Sequence, residues 1–166
     1  MKKLKLFNWI VGVGIAIPLL LITHAVSASP FIDNLDHTVT DRKTGLIWER
    51  CSMGQELNNI SYNCSGTATT ATWANALTYC NGLTLAGRTW RLPNINELTS
   101  IVDRSKASGA TIDLTVFPAT VANNYWSSST YVPNASFAWL VFFSNGLVTY
   151  NNKSNNKYVR CVSTGP

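Results

Sequence analysis

The sequence predicts an α+β domain in which two helices pack on a small, mostly antiparallel, twisted sheet, with disulfides holding the whole. Three observations lead there. Residues 72–82 carry apolar side chains at helical spacing, and the stretch beyond Asp103 breaks into strand-length apolar runs. Four cysteines, Cys51, Cys64, Cys80 and Cys161, all follow a hydrophobic leader.

The leader comes first. Lys2, Lys3 and Lys5 precede an apolar run from Phe7 to Val26, and Val26-Ser27-Ala28 sets small residues where a signal peptidase cuts. Residues 1–28 therefore read as an export signal. At about twenty residues the run also suits an uncleaved membrane anchor; Pro18 and His24 favour cleavage. Residues 29–166 then form one domain, because a segment of this size builds one core and not two.

Residues 37–51, HTVTDRKTGLIWERC, alternate around a turn where Gly45 is free to take a positive φ, and read as a β-hairpin. In TWANALTYCNG, residues 72–82, Trp73, Ala76, Leu77 and Cys80 recur at i, i+3, i+4 and i+7. Thr72 serves as N-cap and Gly82 closes this amphipathic helix. A second helix starts after Pro93: Asn94 caps, Glu97 reaches back, and Leu98, Ile101 and Val102 form its buried stripe. Strands follow over residues 125–131, 138–143, 147–150 and 158–162, with Asn145-Gly146 as a hairpin turn. AWLVFFS is apolar on both faces and is placed centrally in the sheet. Trp48, Trp73, Trp90 and Trp139 fall on apolar faces and are assigned to the core.

Charge does not name a partner. The formal +5 includes three lysines of the leader, so the remaining basic residues are nearly balanced by eight acidic ones, and none cluster as a nucleic-acid footprint requires. Cysteines in an exported chain favour pairing, in any of three connectivities. Their spacings are too long for zinc and His37 is the single histidine beyond the leader, so no metal or other cofactor is expected. Arg91 and Glu97 read as an ion pair anchoring the second helix, since a lone carboxylate does not run acid and base steps. Ser127, Ser128 and Ser129 lack a nucleophile elbow and a nearby histidine, and read as hydrogen-bonding strand residues.

The segment SNGLVTYNNKSNNKY, residues 144–158, concentrates Asn145, Asn151, Asn152, Asn155 and Asn156 with Tyr150 and Tyr158. Tyrosine supplies rigid amphipathic area and asparagine both donors and acceptors, as adaptable recognition surfaces require. With Tyr125, Tyr131 and Asn134 these residues form a candidate ligand face, while Lys153 and Lys157 suit a sulfated or carboxylated glycan. The plain structural alternative is that Asn-rich loops form turns.

Four stretches carry a family resemblance: TDRKTGLIWERC (40–51), TWANALTYCNGLTLAG with WRLPNINELTSIVD (72–103), FPAT with YWSSSTY (117–131), and AWLVFFSNGLVTYNNKSNNKYVRCV (138–162). Together they resemble the C-terminal domain of the bacterial Lcl collagen-like adhesins, within the C-type-lectin-like fold. The resemblance implies Cys80–Cys161 and Cys51–Cys64 pairs, which in a chain-entropy account stabilise by roughly 4 and about 3 kcal/mol. It implies a non-enzymatic adhesion domain at the bacterial surface or in the periplasm, binding a glycan or surface protein, and it leaves room for a homotrimer. Val132-Pro133-Asn134 lacks the acid of the lectins' calcium loop, which argues against a calcium site of that type. Formylglycine-generating enzymes share the arrangement of helix, Cys and Arg-Leu-Pro. They use a reactive cysteine pair where this chain has Cys161 alone, so an enzyme on that scaffold is the alternative reading, and a structural module of a surface assembly is another.

Overall fold

One core was expected, but the described residues pack into two hydrophobic clusters. The computed structural model describes residues 29–164 apart from Asn59; the export signal expected over residues 1–28 lies outside the described residues. An edge strand β1 (Phe31–Asp33) precedes the hairpin of β2 (Thr38–Asp41) and β3 (Ile47–Glu49), and Gly45 takes φ +73° in its turn. A small ribbon of β4 (Glu56–Asn58) and β5 (Asn63–Ser65) follows, then β6 (Thr70–Ala71). Helix α1 (Trp73–Gly82) is capped by Thr72, whose Oγ1 accepts from the Asn75 N–H, and α2 (Ile95–Ser100) by the full Asn94/Glu97 capping box.

The second half holds β7 (Asn124–Thr130), β8 (Phe137–Phe142), β9 (Leu147–Asn152), β10 (Lys157–Tyr158) and β11 (Val162–Ser163). One small sheet was expected; among the described residues there are three, ordered β1-β2-β3-β11, β6-β10-β7-β8-β9 and β4-β5. All pairings are antiparallel except β10 with β7.

The strand expected over residues 158–162 is really two, and this is why the sheets separate. Between β10 and β11 the chain crosses over: the Met53 N–H donates to the Val159 carbonyl, the Glu49 N–H to the Cys161 carbonyl, and the Cys161 N–H to the Glu49 carboxylate. Cys161 is thereby held against α1, where it bonds to Cys80, while Cys51 and Cys64 close the local loop.

Alternation along the strands sends neighbours into different cores. Tyr125, Val141, Trp48 and Val162 enter one, with Leu98 and Ile101 of α2; Trp126, Leu140, Ile47 and Cys161 enter the other, with Ala76 and Cys80 of α1. Trp48, Trp90 and Trp126 are fully buried and half-buried Trp73 packs against the second core, whereas Trp139 is half-buried outside both cores, which corrects its assignment. Trp73 packs on α1 toward β7, its indole N–H donating to the Ser127 carbonyl, and Trp139 meets Tyr131 and Tyr150 edge-on. Strand β8 does run between β7 and β9, as its apolar sequence predicts.

Candidate functional site

Four aromatic side chains gather at the open edge of the five-stranded sheet. Tyr150 on the edge strand β9 stands opposite Trp139 on β8, and Phe137 stands opposite Asn152. Tyr131 follows β7 and is tied to this corner because its N–H donates to the Phe137 carbonyl. The Tyr131 and Tyr150 rings stack at 4.0 Å between centroids and 11° between planes; Trp139 meets both edge-on, at 5.2 and 5.7 Å, and Phe137 meets Tyr150 edge-on at 5.8 Å. The edge-on contacts are favoured aromatic geometries and hold Trp139 and Phe137 against the stacked tyrosines. Tyr150 nevertheless stays 44% exposed, with Val148 (40%) and Leu147 (58%) beside it. The four rings carry no formal charge.

The expected ligand residues divide. Tyr131, Tyr150, Asn134, Asn151 and Asn152 are brought to this corner by β9 and the turn before β8. Tyr125 is not: its side chain is fully buried, its hydroxyl 2.9 Å from Ser52 Oγ and accepting from the Val121 N–H, so it is a core residue. Tyr158 stacks on Tyr125 at 5.4 Å, and with Lys157 it sits on β10, separated from β9 by two strands. Asn145 lies in the β8–β9 turn and Asn156 in the loop after β9.

Most of the asparagine oxygens serve turns. Asn134, Asn145 and Asn152 accept from the backbone N–H of Ser136, Leu147 and Ser154, and Asn155 Nδ2 donates to Asn151 Oδ1 at 2.6 Å. That is the Asx-turn chemistry of the plain structural alternative. Lys153 is also engaged: its Nζ donates to Thr130 Oγ1 at 2.8 Å and lies 4.0 Å from the Trp73 ring centroid.

Phe137 and Trp139 are the members that sequence reasoning missed. Trp139 lies in AWLVFFS, apolar on both faces, and Phe137 directly precedes that run, but such a run does not say which of its side chains stay half-exposed.

The other sequence candidates take structural places. Arg91 and Glu97 form a two-pronged ion pair at 2.6 and 2.7 Å, and Glu97 Oε2 also accepts from the Asn94 N–H. Burial opposes ionisation of Glu97, yet the Arg91 contact and the Asn94 amide hold its carboxyl below the usual range. The β7–β8 register shifts between Trp126 and Thr130, and the serines satisfy the backbone there: Ser127 Oγ donates to the Trp139 carbonyl, and Ser129 Oγ accepts from the Ile95 N–H. Among the described residues no group of three or more His, Cys, Asp or Glu side chains is placed to hold a metal ion.

The sequence profile of the Lcl C-terminal domain matches residues 37–163, nearly all of the described structure. No curated protein matches the chain.

Proposed function

The chain belongs to the Lcl C-terminal domain family, and from that premise we propose that it is an exported adhesion domain that binds a carbohydrate through the Tyr131–Phe137–Trp139–Tyr150 face. The observation that carries this reading is a cluster of four packed aromatic rings at a sheet edge, Tyr150 exposed and Tyr131, Phe137 and Trp139 half-buried. A folded domain rarely leaves such a patch exposed without a partner. Ring faces offer rigid area to the C–H faces of a sugar, while neighbouring amides and hydroxyls meet its hydroxyl groups.

Within that class the face favours a neutral glycan over a sulfated one, because the Lys153 ammonium already has Thr130 and Trp73 as partners. Two disulfides suit an oxidising, exported setting, and among the described residues no helix is long and apolar enough to cross a membrane. The C-type-lectin-like fold belongs to the same proposal: two disulfides and two helices on antiparallel sheets support it. No step of this reading needs a catalytic group or a cofactor.

A glycan array carrying neutral and sulfated polysaccharides tests it. Binding is expected to neutral ligands, to fall at least about tenfold in Tyr150→Ala, and to persist in Lys153→Ala. Binding that is unchanged in Tyr150→Ala removes this face from the account. A partner of a different kind is favoured by one feature, the edge position of β9, which leaves a strand open to pairing; a concentration-dependent mass in light scattering is the sign of such self-assembly.

A further inference from the structure

A second recess lies well away from the aromatic corner, between β3, the β4 ribbon and the end of α1. It is a cavity of about 280 Å³, lined by His37, Gln55, the Cys51 disulfide arm and the residues named below. Its inner end is Glu49, 6% exposed, and its outer end the exposed Glu56. Leu57, Leu83, Leu85 and Tyr79 supply the rest of the wall.

Glu49 is unusual for a buried acid. Buried charges are normally matched by an ion pair. The two ion pairs among the described residues are Arg50–Asp33 and Arg91–Glu97, and neither includes it. Its oxygens accept one hydrogen bond each, from Tyr79 Oη at 2.6 Å and the Cys161 N–H at 3.0 Å. A carboxylate has about four acceptor positions, so two stay open. Burial pushes its carboxyl up to about 7, against the pull of Tyr79, the Cys161 amide and the charge of Arg160. Burial and the neighbouring carboxylate likewise push the Tyr79 phenol up, so it remains a donor.

We propose that this cavity binds an alkylammonium group, with Glu49 as the counter-ion, Glu56 attracting the cation at the mouth, and Leu57, Leu83 and Leu85 packing on the alkyl chain. A hard metal ion does not fit, because the described residues offer no three-ligand group and the walls are leucines. An anion is repelled by both acids. The volume admits a chain of a few carbons, either a free small amine or a lysine side chain of a partner. This inference stands apart from the glycan reading and shares no residue with it.

The oxidised protein is titrated at pH 8 with pentylammonium chloride, with 1-pentanol as the uncharged match, and with Nα-acetyl-lysine amide, following the methyl resonances of Leu57, Leu83 and Leu85. The titratable or charged side chains near Glu49 are His37, Glu56, Tyr79 and Arg160. Saturable shifts are expected with pentylammonium, about tenfold weaker with pentanol, and lost in Glu49→Gln. Comparable binding of the lysine amide assigns the site to a partner's side chain, and its exclusion assigns it to a free amine. Equal affinity for pentanol, no saturation by about 50 mM, or undiminished binding in a folded Glu49→Gln overturns the proposal. If Glu49→Gln does not fold, the exposed Glu56→Gln decides: it must weaken pentylammonium and leave pentanol unchanged, and equal effects on both overturn the proposal.

Discussion

Tyr131 and Tyr150 lie ring on ring although one follows β7 and the other sits on the edge strand β9, and Trp139 between those strands meets both edge-on. The contact joins three segments at the β9 edge of the five-stranded sheet. It makes the aromatic face a fixed surface of the fold rather than a loose set of side chains.

Because Tyr150 is 44% exposed, Tyr150→Ala should lower stability by only about 1 kcal/mol. Trp139→Ala should cost about 3 kcal/mol, since the indole is shared by Tyr131 and Tyr150. Urea unfolding of both variants checks the order; a Tyr150→Ala loss as large as that of Trp139→Ala would make the tyrosine a core residue.

The Cys80–Cys161 bridge spans 81 residues and joins α1 to the crossover between the two large sheets. In the chain-entropy account it stabilises by about 4 kcal/mol, against about 3 for Cys51–Cys64, which spans 13. The double variant Cys80→Ser/Cys161→Ser should therefore unfold at lower urea than Cys51→Ser/Cys64→Ser. Peptide mapping of the oxidised chain should return these two pairs.

Glu49 and Glu97 should leave opposite marks on the pH profile of stability. The folded-state carboxyl of Glu49 is raised from 4.5 to about 7, so its contribution is complete below about pH 4.5 and is lost as pH rises through 7. Glu97 is held below its ordinary value, so its contribution is present above the usual carboxylate range and is lost on acidification. Thermal unfolding from pH 4 to 8 should show the alkaline decline in the natural protein and not in Glu49→Gln.

Gly146 and Gly82 test the backbone account. Gly146 has φ +70°, and an added Cβ would meet Val102 Cγ1 at 2.7 Å. Gly146→Ala should destabilise by about 2 kcal/mol. Gly82 ends α1 with nothing within 4 Å of such an atom, and Gly82→Ala should be neutral or stabilising by about 0.5 kcal/mol. Thermal melts of the two variants should move apart.

Much of the fold was legible where its cause is local. The caps at Thr72 and Asn94, the hairpin turns at Gly45 and Asn145-Gly146, and the Arg91–Glu97 pair depend on residues a few positions apart. The strands β1, β4, β5 and β6 escaped because two or three residues carry no usable period. The division of the tyrosines was equally hidden. Tyr125 is buried because Ser52 and Arg160, distant in sequence, build a polar pocket for its hydroxyl, and Arg160 also donates to Thr120. The Lys153 ammonium is held by Thr130 and by the ring of Trp73, far upstream. Such choices are made by tertiary packing, which no spacing rule encodes.

The most direct test of the aromatic face is a side-chain chemical-shift map of the oxidised protein with the strongest neutral glycan from the array. The account predicts that the ring resonances of Tyr131, Phe137, Trp139 and Tyr150 move together and saturate with the binding curve. Saturating shifts confined to residues outside this corner, with those four rings still, would contradict it.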